Sequence, residues 1–200
     1  MRNRFMKRAV IGALAAAAAL LAGTAQAALQ NRDLNGDGQT DAFYDTDLNI
    51  TWLRDADVNG LKQWGAAVTW ADTFSFGGYT DWRLPTSDTC QNLNCAGSEM
   101  GHLWYVELGN TAGALTNTGN FQNFQSYAYW SGTEVSGVAQ NAYYFYNAIG
   151  GQYGHNETDD FYAMAVRDGD VTTAVPEPET YVLMLGGLAA MVLAIRRKRR

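Results

Sequence analysis

The chain has 200 residues and a formal net charge of −6, and this total hides an uneven distribution. Both termini are basic, whereas residues 28–175 carry eighteen Asp or Glu against five Lys or Arg, a net charge of −13. So acidic a stretch repels nucleic acid, anionic lipid and sulfated glycans, which argues against these polyanions as partners. All six tryptophans fall in the same stretch, and its length suits about one domain.

The N-terminal 27 residues have the pattern of a secretory signal peptide. A basic segment over residues 1–8 precedes an apolar run over residues 9–22, and Ala25 and Ala27 supply small residues at −3 and −1 of a cleavage site. A retained membrane helix is disfavoured because the apolar run is short and ends in this pattern. We therefore expect export, with a mature chain that begins at Ala28.

The C-terminal segment, residues 175–200, combines a short motif, an apolar run and a basic end. Pro176, Glu177 and Pro178 precede the run over residues 181–195, and residues 196–200 are all Arg or Lys. As a transmembrane helix this run spans about 22 Å, less than the ~30 Å hydrocarbon core, and snorkelling arginines can supply part of the difference. The basic end is expected to stay in the cytoplasm, which leaves residues 28–175 outside.

This C-terminal arrangement resembles the PEP-CTERM sorting signal, and a plain tail anchor is the alternative. The resemblance implies recognition by an exosortase of a Gram-negative bacterium that makes exopolysaccharide. It also implies an intermediate anchored in the inner membrane and removal of the helix. The product is then expected at the cell surface or in the extracellular matrix.

Residues 33–41 have the D-x-N-x-D-G-x-x-D spacing of a calcium loop. Such loops place oxygen ligands at positions 1, 3, 5, 7 and 9, with a glycine at position 6 for a sharp turn. The candidate ligands are Asp33, Asn35, Asp37, Gln39 and Asp41. Position 12 is Tyr44 and no helix brackets the loop, so an Asx-rich turn without metal is the alternative. If calcium binds, we expect a structural site with the weak affinity of extracellular modules.

Hydrophobic periodicity predicts a short series of helices and strands after this loop. A hairpin is expected from residues 42–45 and 49–53, followed by an amphipathic helix over residues 63–74 that Gly77 and Gly78 end. A second helix is expected over residues 98–108 with Ser98 as its cap, and His102 lies off its apolar face, which predicts an exposed side chain. The closing strands are predicted over residues 127–131, 142–148 and 161–167.

Cys90 and Cys95 are the two cysteines of the chain. In an exported protein a disulfide is the default expectation, and it disfavours a cysteine nucleophile. Closing so short a loop contributes only about 2 kcal/mol in the chain-entropy model. Zinc bound by this pair would need further ligands, and the chain offers only His102 and His155, so we do not expect zinc there.

Three motifs in the middle of the chain carry a family resemblance. The first is Trp82-Arg83-Leu84-Pro85-Thr86, the second is residues 129–134 with Trp130 and Glu134, and the third is residues 163–169 with Arg167. In this order they resemble the Lcl C-terminal domain family, over roughly residues 42–170.

The resemblance implies an α+β, C-type-lectin-like domain over residues 28–174, with short antiparallel sheets and two helices. The signal peptide and the C-terminal apolar helix flank this domain. We interpret the motif residues as structural. Glu134 and Arg167 are expected to form a buried charge pair, with Arg83 nearby.

The closing strands are rich in aromatic and amide side chains. Rings that stack on a sugar face and polar groups that orient hydroxyls make up a typical sugar site, but an ordinary antiparallel sheet has the same composition. The residues concerned are Asn141, Tyr143, Tyr144, Tyr146, Asn147, Tyr153, Asn156 and Tyr162.

Together these features predict an exported carbohydrate-binding or adhesion module. The adhesin that names the family is associated with sulfated glycosaminoglycans, which a charge of −13 opposes, so a neutral or calcium-bridged glycan is expected instead. A structural matrix protein without a small ligand is the alternative. No catalytic residues are assigned and the chain is not expected to be an enzyme, with a secreted hydrolase as the third reading.

Overall fold

A computed structural model describes residues 29–171. The predicted signal peptide, the sorting motif at residues 176–178 and the apolar run at residues 181–195 lie outside these described residues. Over residues 29–171, no helix has the length and apolar character needed to cross a membrane.

The domain is built from two antiparallel sheets of four strands each and two helices, which confirms the predicted α+β class. In chain order the elements are β1 (Gln30–Arg32), β2 (Ala42–Asp45), β3 (Ile50–Leu53), α1 (Trp64–Thr73), β4 (Asn92–Leu93), α2 (Glu99–His102), β5 (Ala128–Glu134), β6 (Asn141–Tyr146), β7 (Gly151–Asn156) and β8 (Val166–Asp168). The first sheet has the strand order β1-β2-β3-β8 and the second has the order β4-β7-β6-β5.

The predicted hairpin is formed by β2 and β3, which pair with each other so that Asp45 lies opposite Ile50. Its turn is stabilised by one carboxylate oxygen, because Asp45 Oδ1 accepts hydrogen bonds from the backbone N–H groups of Asp47 and Leu48, both at 3.0 Å. Asn49 closes the turn with φ of 54°, a left-handed conformation that asparagine tolerates.

The second predicted helix is present but changes its geometry after one turn. Ser98 caps α2 as expected, since its Oγ accepts a hydrogen bond from Gly101 N at 3.1 Å. The chain then continues as a π-helical turn over Leu103–Glu107, in which Leu108 N donates to Leu103 O at 2.9 Å. The prediction that His102 is exposed is wrong, because its imidazole lies against the carboxylates of Asp45 and Glu107 and its side chain is only 14 % exposed.

The core divides into three clusters of buried side chains. The largest contains Trp52, Trp104 and Tyr129 and lies between the two sheets, and a second packs α1 through Ala67 and Ala71 against β5 and β6. The third surrounds Trp82. The predicted closing strand over residues 161–167 is shorter than expected, because residues 161–165 cross between the sheets and make single bridges to Lys62 and Tyr129.

The predicted disulfide joins Cys90 to Cys95, whose Cα atoms lie 5.6 Å apart. The loop that it closes contains β4, which adds a short edge strand to β7. The disulfide therefore constrains only a local loop. Replacing both cysteines with serine is expected to lower the free energy of unfolding by about 2 kcal/mol. Urea denaturation of the oxidised chain and the double variant measures this loss; a loss of cooperative unfolding would contradict a local role.

Candidate functional site

The three sequence motifs meet in space and form a scaffold. Trp82 and Leu84 are buried, while Arg83 between them exchanges two backbone hydrogen bonds with Val166, of 2.8 and 2.9 Å. The carbonyl oxygen of Pro85 accepts hydrogen bonds from Gly132 N at 2.8 Å and from Ser131 Oγ at 2.9 Å. The first motif is thus hydrogen-bonded to both of the others.

Arg83 is the centre of the charged contacts in this scaffold. Its guanidinium binds Glu99 through two hydrogen bonds, of 2.7 and 2.8 Å, and reaches Asp168 Oδ1 at 2.6 Å. The hydrogen bonds that Arg83 donates to Glu99 raise the pKa of Arg83 in spite of its partial burial. Glu99 also accepts from Thr86 N at 2.7 Å, so the last residue of the first motif is tied to the start of α2.

The expected pair of Glu134 and Arg167 is wrong. Glu134 is exposed at the end of β5, and Arg167 instead binds Asp81 through hydrogen bonds of 2.7 and 2.9 Å. The Arg167 guanidinium holds the pKa of the Asp81 carboxyl below its usual value. Trp130, the other named residue of the second motif, is fully buried and donates its indole N–H to Lys62 O at 2.9 Å. Arg167 and Trp130 therefore help to hold the fold together.

The predicted calcium loop is closed by its own side chains. Asp33 accepts hydrogen bonds from the backbone N–H groups of Gly36 and Gly38, both at 2.7 Å, and these bonds lower the pKa of Asp33. Asn35 and Asp37 each accept from the N–H group two residues later. The two glycines have φ values of 78° and 84°, which only glycine adopts without strain.

This folding brings three of the five predicted ligands together. Carboxylate oxygens of Asp33, Asp37 and Asp41 lie within 4.8 Å of one another. The hydrogen bonds are those of successive Asx turns, so the geometry is compatible both with a calcium loop and with a turn that needs no metal. A cleft of about 410 Å³ adjoins the loop and is lined in part by Asp37, Gln39 and Asp41.

A second cleft, here called the aromatic cleft, has a volume of about 390 Å³ and lies on the outer face of the second sheet. Tyr144 and Tyr146 point to the same face because they are two residues apart on β6. Tyr127 rises beside them and is 44 % exposed, with its ring perpendicular to that of Tyr146 at a centroid distance of 6.1 Å. The complete lining is Tyr127, Ala128, Tyr144, Tyr146, His155, Asp159, Asp160 and Phe161.

The polar edge of the aromatic cleft comes from the segment that follows β7. Asp159 contacts the imidazole of His155, and Asp160 is exposed beside them. Burial raises the pKa of Tyr144, so its hydroxyl stays protonated and available as a donor. The cleft therefore offers flat apolar rings beside carboxylate acceptors and hydroxyl donors.

Sequence reasoning found only part of this cleft. Tyr144 and Tyr146 belong to the predicted aromatic set, whereas Tyr143 and Asn147 of that set are buried and face the core. The remaining polar and aromatic lining residues were missed because they come from three different segments of the chain. The alternation along β6 was the available signal, since it separates the outward tyrosines from the inward ones.

Two family models match the chain. The Lcl C-terminal domain matches residues 41–167, which include all but the last two residues of the three motifs and the whole lining of the aromatic cleft. The PEP-CTERM protein-sorting motif matches residues 174–200. No curated protein matches the chain.

Proposed function

We propose a carbohydrate-binding function for this chain, which belongs to the Lcl C-terminal domain family. Its PEP-CTERM motif makes it an exported protein that an exosortase recognises and that passes through a membrane-associated intermediate. The proposed final location is the cell surface or the exopolysaccharide matrix, with the inner membrane as a transient partner. There the domain binds glycan without chemical change, as an adhesion module and not as an enzyme.

The aromatic cleft is the observation that carries this proposal. Sugar rings have apolar faces that pack on aromatic side chains and hydroxyl groups that need hydrogen-bond partners. A cleft that binds sugars therefore needs both aromatic surface and polar groups. Tyr127 and Tyr146 offer ring surface to the cleft, and Asp159 and Asp160 add carboxylates to its lining. A volume of about 390 Å³ suits one or two sugar units.

The charge of the domain selects the kind of glycan. Residues 28–175 carry a net charge of −13, and the rim of the cleft adds two carboxylates to the sugar-binding surface. A sulfated or uronic-acid-rich chain is repelled by this surface, whereas a neutral glycan can use the carboxylates as hydrogen-bond acceptors. The proposed ligand is therefore a neutral glycan or exopolysaccharide.

Calcium has a structural role in this proposal. The loop of residues 33–41 lies on the side of the first sheet, and its ligand residues are absent from the lining of the aromatic cleft. Calcium bound by Asp33, Asp37 and Asp41 would offset the repulsion between their carboxylates and stabilise the loop. Glycan binding is then expected to continue when calcium is removed.

A glycan array tests the proposal directly. The full chain, purified in mild detergent, is applied to neutral and sulfated glycans, once with calcium and once with EDTA. We expect binding to neutral glycans in both buffers, and a loss of affinity of about tenfold in Tyr127→Ala, equal to about 1.4 kcal/mol. Tyr44→Ala is the matched control, because Tyr44 is a half-buried tyrosine of the first sheet outside the cleft.

The same experiment contains the outcomes that overturn the proposal. Binding that EDTA abolishes moves the site to the loop of residues 33–41. Equal losses of glycan affinity in Tyr127→Ala and Tyr44→Ala would show that the aromatic cleft is not the binding site. Failure to bind any glycan in either buffer rejects the lectin function and leaves the structural matrix protein, and shortened glycan products would identify a hydrolase.

A further inference from the structure

Three ionisable side chains meet in the interior, away from the aromatic cleft. They are Asp45 at the end of β2, His102 at the end of α2 and Glu107 at the end of the π-helical turn, here called the buried triad. His102 Nε2 lies 3.5 Å from Glu107 Oε1 and 3.9 Å from Asp45 Oδ2. One ligand-type atom of each residue lies within 4.8 Å of those of the other two.

These atoms are shielded from solvent and lack hydrogen-bond partners. Asp45 is fully buried, the side chain of Glu107 is 1 % exposed, and Asp45 Oδ2, His102 Nε2 and Glu107 Oε1 each make no hydrogen bond to the described residues. One buried polar atom without a partner costs about 1–3 kcal/mol. Two neighbouring buried carboxylates add repulsion, so a group that satisfies all three atoms at once would remove a substantial penalty.

The local backbone aims the three atoms at one point. Both hydrogen bonds of the β2–β3 turn go to Asp45 Oδ1, which leaves Oδ2 directed at the imidazole. In an α-helix, residues five apart such as His102 and Glu107 lie about 140° apart around the axis. The π-helical turn between them reduces this angle and places both side chains on one side, and such turns are frequent at functional sites.

We propose that Asp45, His102 and Glu107 bind a divalent transition-metal ion, with zinc as the best fit. One imidazole nitrogen and two carboxylate oxygens are common zinc ligands, and three protein ligands leave a fourth position for water. Tetrahedral ligands at about 2.0–2.1 Å from zinc lie roughly 3.4 Å apart, close to the separations of 3.5 and 3.9 Å in the triad. The two carboxylate oxygens lie within 4.8 Å of each other, so binding of the ion draws the three ligand atoms together.

The donor set distinguishes this site from the loop of residues 33–41. Calcium takes six to eight oxygen ligands, so a buried set that includes a nitrogen disfavours it. Asp47 is a fourth nearby carboxylate, with Oδ2 at 4.0 Å from His102 Nε2 and a half-exposed side chain. The disulfide-bonded cysteines are not ligands of this site. The carboxylates of Asp45 and Glu107 provide the further zinc ligands that the two histidines of the chain could not provide alone.

The proposed ion connects the first sheet to the helical segment that follows Ser98. Asp45 belongs to the hairpin of the first sheet, whereas His102 and Glu107 belong to the helix that packs Trp104 against β6. A ligand that binds the folded state and not the unfolded chain stabilises it by mass action. Zinc is therefore expected to raise the melting temperature of the protein, and chelation is expected to lower it.

Metal retention by the full chain tests the proposal. The protein carries an affinity tag without histidine, is stripped with chelator, is incubated with zinc and excess calcium, and is desalted before metal analysis. We expect one zinc per chain, and His102→Gln and Glu107→Gln are each expected to weaken zinc binding by about 100-fold or more, beyond the 10–100-fold typical of residues that only support ligands. His155→Gln and Asp37→Asn, which alter the other histidine and the calcium loop, are expected to retain the zinc.

Three outcomes overturn the proposal. They are a wild-type chain that retains no zinc, His102→Gln and Glu107→Gln variants that retain as much as the wild type, and His155→Gln that loses it. Cobalt substitution of the wild-type protein gives a readout that does not depend on the folding of any variant. An absorption spectrum identical to that of aqueous Co²⁺ would equally reject a nitrogen- and oxygen-ligated site.

Discussion

Replacing Arg83 with methionine is expected to lower the free energy of unfolding by about 3 kcal/mol. The guanidinium makes a bidentate pair with Glu99, whose side chain is only 14 % exposed, so its removal leaves a carboxylate largely buried without its cation. Methionine keeps much of the side-chain volume and therefore isolates the loss of charge from the loss of packing. Urea denaturation of the wild type and the variant measures the difference.

Two further variants separate the buried pair from the exposed one. Asp168 also binds Arg83, but its side chain is 79 % exposed, so Asp168→Asn is expected to cost less than about 1 kcal/mol. The double variant Arg83→Met with Glu99→Leu removes both charges and is expected to recover most of the stability. A double variant as unstable as Arg83→Met would show that packing, and not the unpaired carboxylate, explains the loss.

Local patterns predicted the local elements of this fold. The hairpin of β2 and β3, helix α1 and the cap at Ser98 follow from alternation, helical periodicity and capping chemistry, which act over a few neighbouring residues. The disulfide followed from composition and compartment, since an exported chain with two cysteines has few alternatives. The three motifs identified the family, but they did not indicate which charged residues of this chain form ion pairs.

The errors arose where distant segments decide the contacts. Glu134 and Arg167 were paired because each lies in a motif, yet Arg167 binds Asp81, which is 86 residues away in sequence. His102 was expected to be exposed because ideal α-helical periodicity places it off the apolar face. Asp45 of the β2–β3 hairpin covers His102 instead, together with Glu107, which the π-helical turn brings to the same side. No single-residue propensity indicates where such a turn occurs.

The motifs describe the scaffold and leave the binding surface unspecified. Arg83, Pro85 and Val166 use their polar groups in hydrogen bonds within the scaffold, so these groups are already occupied. All of the residues that line the aromatic cleft, by contrast, lie outside the three motifs, among them Tyr127, Tyr146 and Asp159. Membership in the family therefore indicates the fold, whereas the proposed glycan site consists of residues that the motifs do not contain.

Replacing Gly101 with alanine is expected to be the most destabilising single-methyl change in α2, with a loss of about 3 kcal/mol or more. A Cβ atom at this position would overlap the carbonyl oxygen of Cys95 and would lie 2.8 Å from Ser98 Oγ. These atoms belong to the backbone of the disulfide loop and to the helix cap, so neither can move aside as a flexible side chain would. The helix and the loop must separate to admit the methyl group.

Gly65→Ala is the matched control for this prediction. Gly65 lies in α1 with open space around the position of its Cβ, so alanine there is expected to raise the free energy of unfolding by about 0.5–1 kcal/mol through helix propensity. If packing against Cys95 is decisive, thermal and urea denaturation will show changes of opposite sign in the free energy of unfolding of the two variants. Since His102 follows Gly101 directly, the displaced helix is also expected to weaken zinc binding at the buried triad, whereas Gly65→Ala leaves it unchanged. A Gly101→Ala variant as stable as Gly65→Ala would mean that α2 does not pack against the disulfide loop in this way.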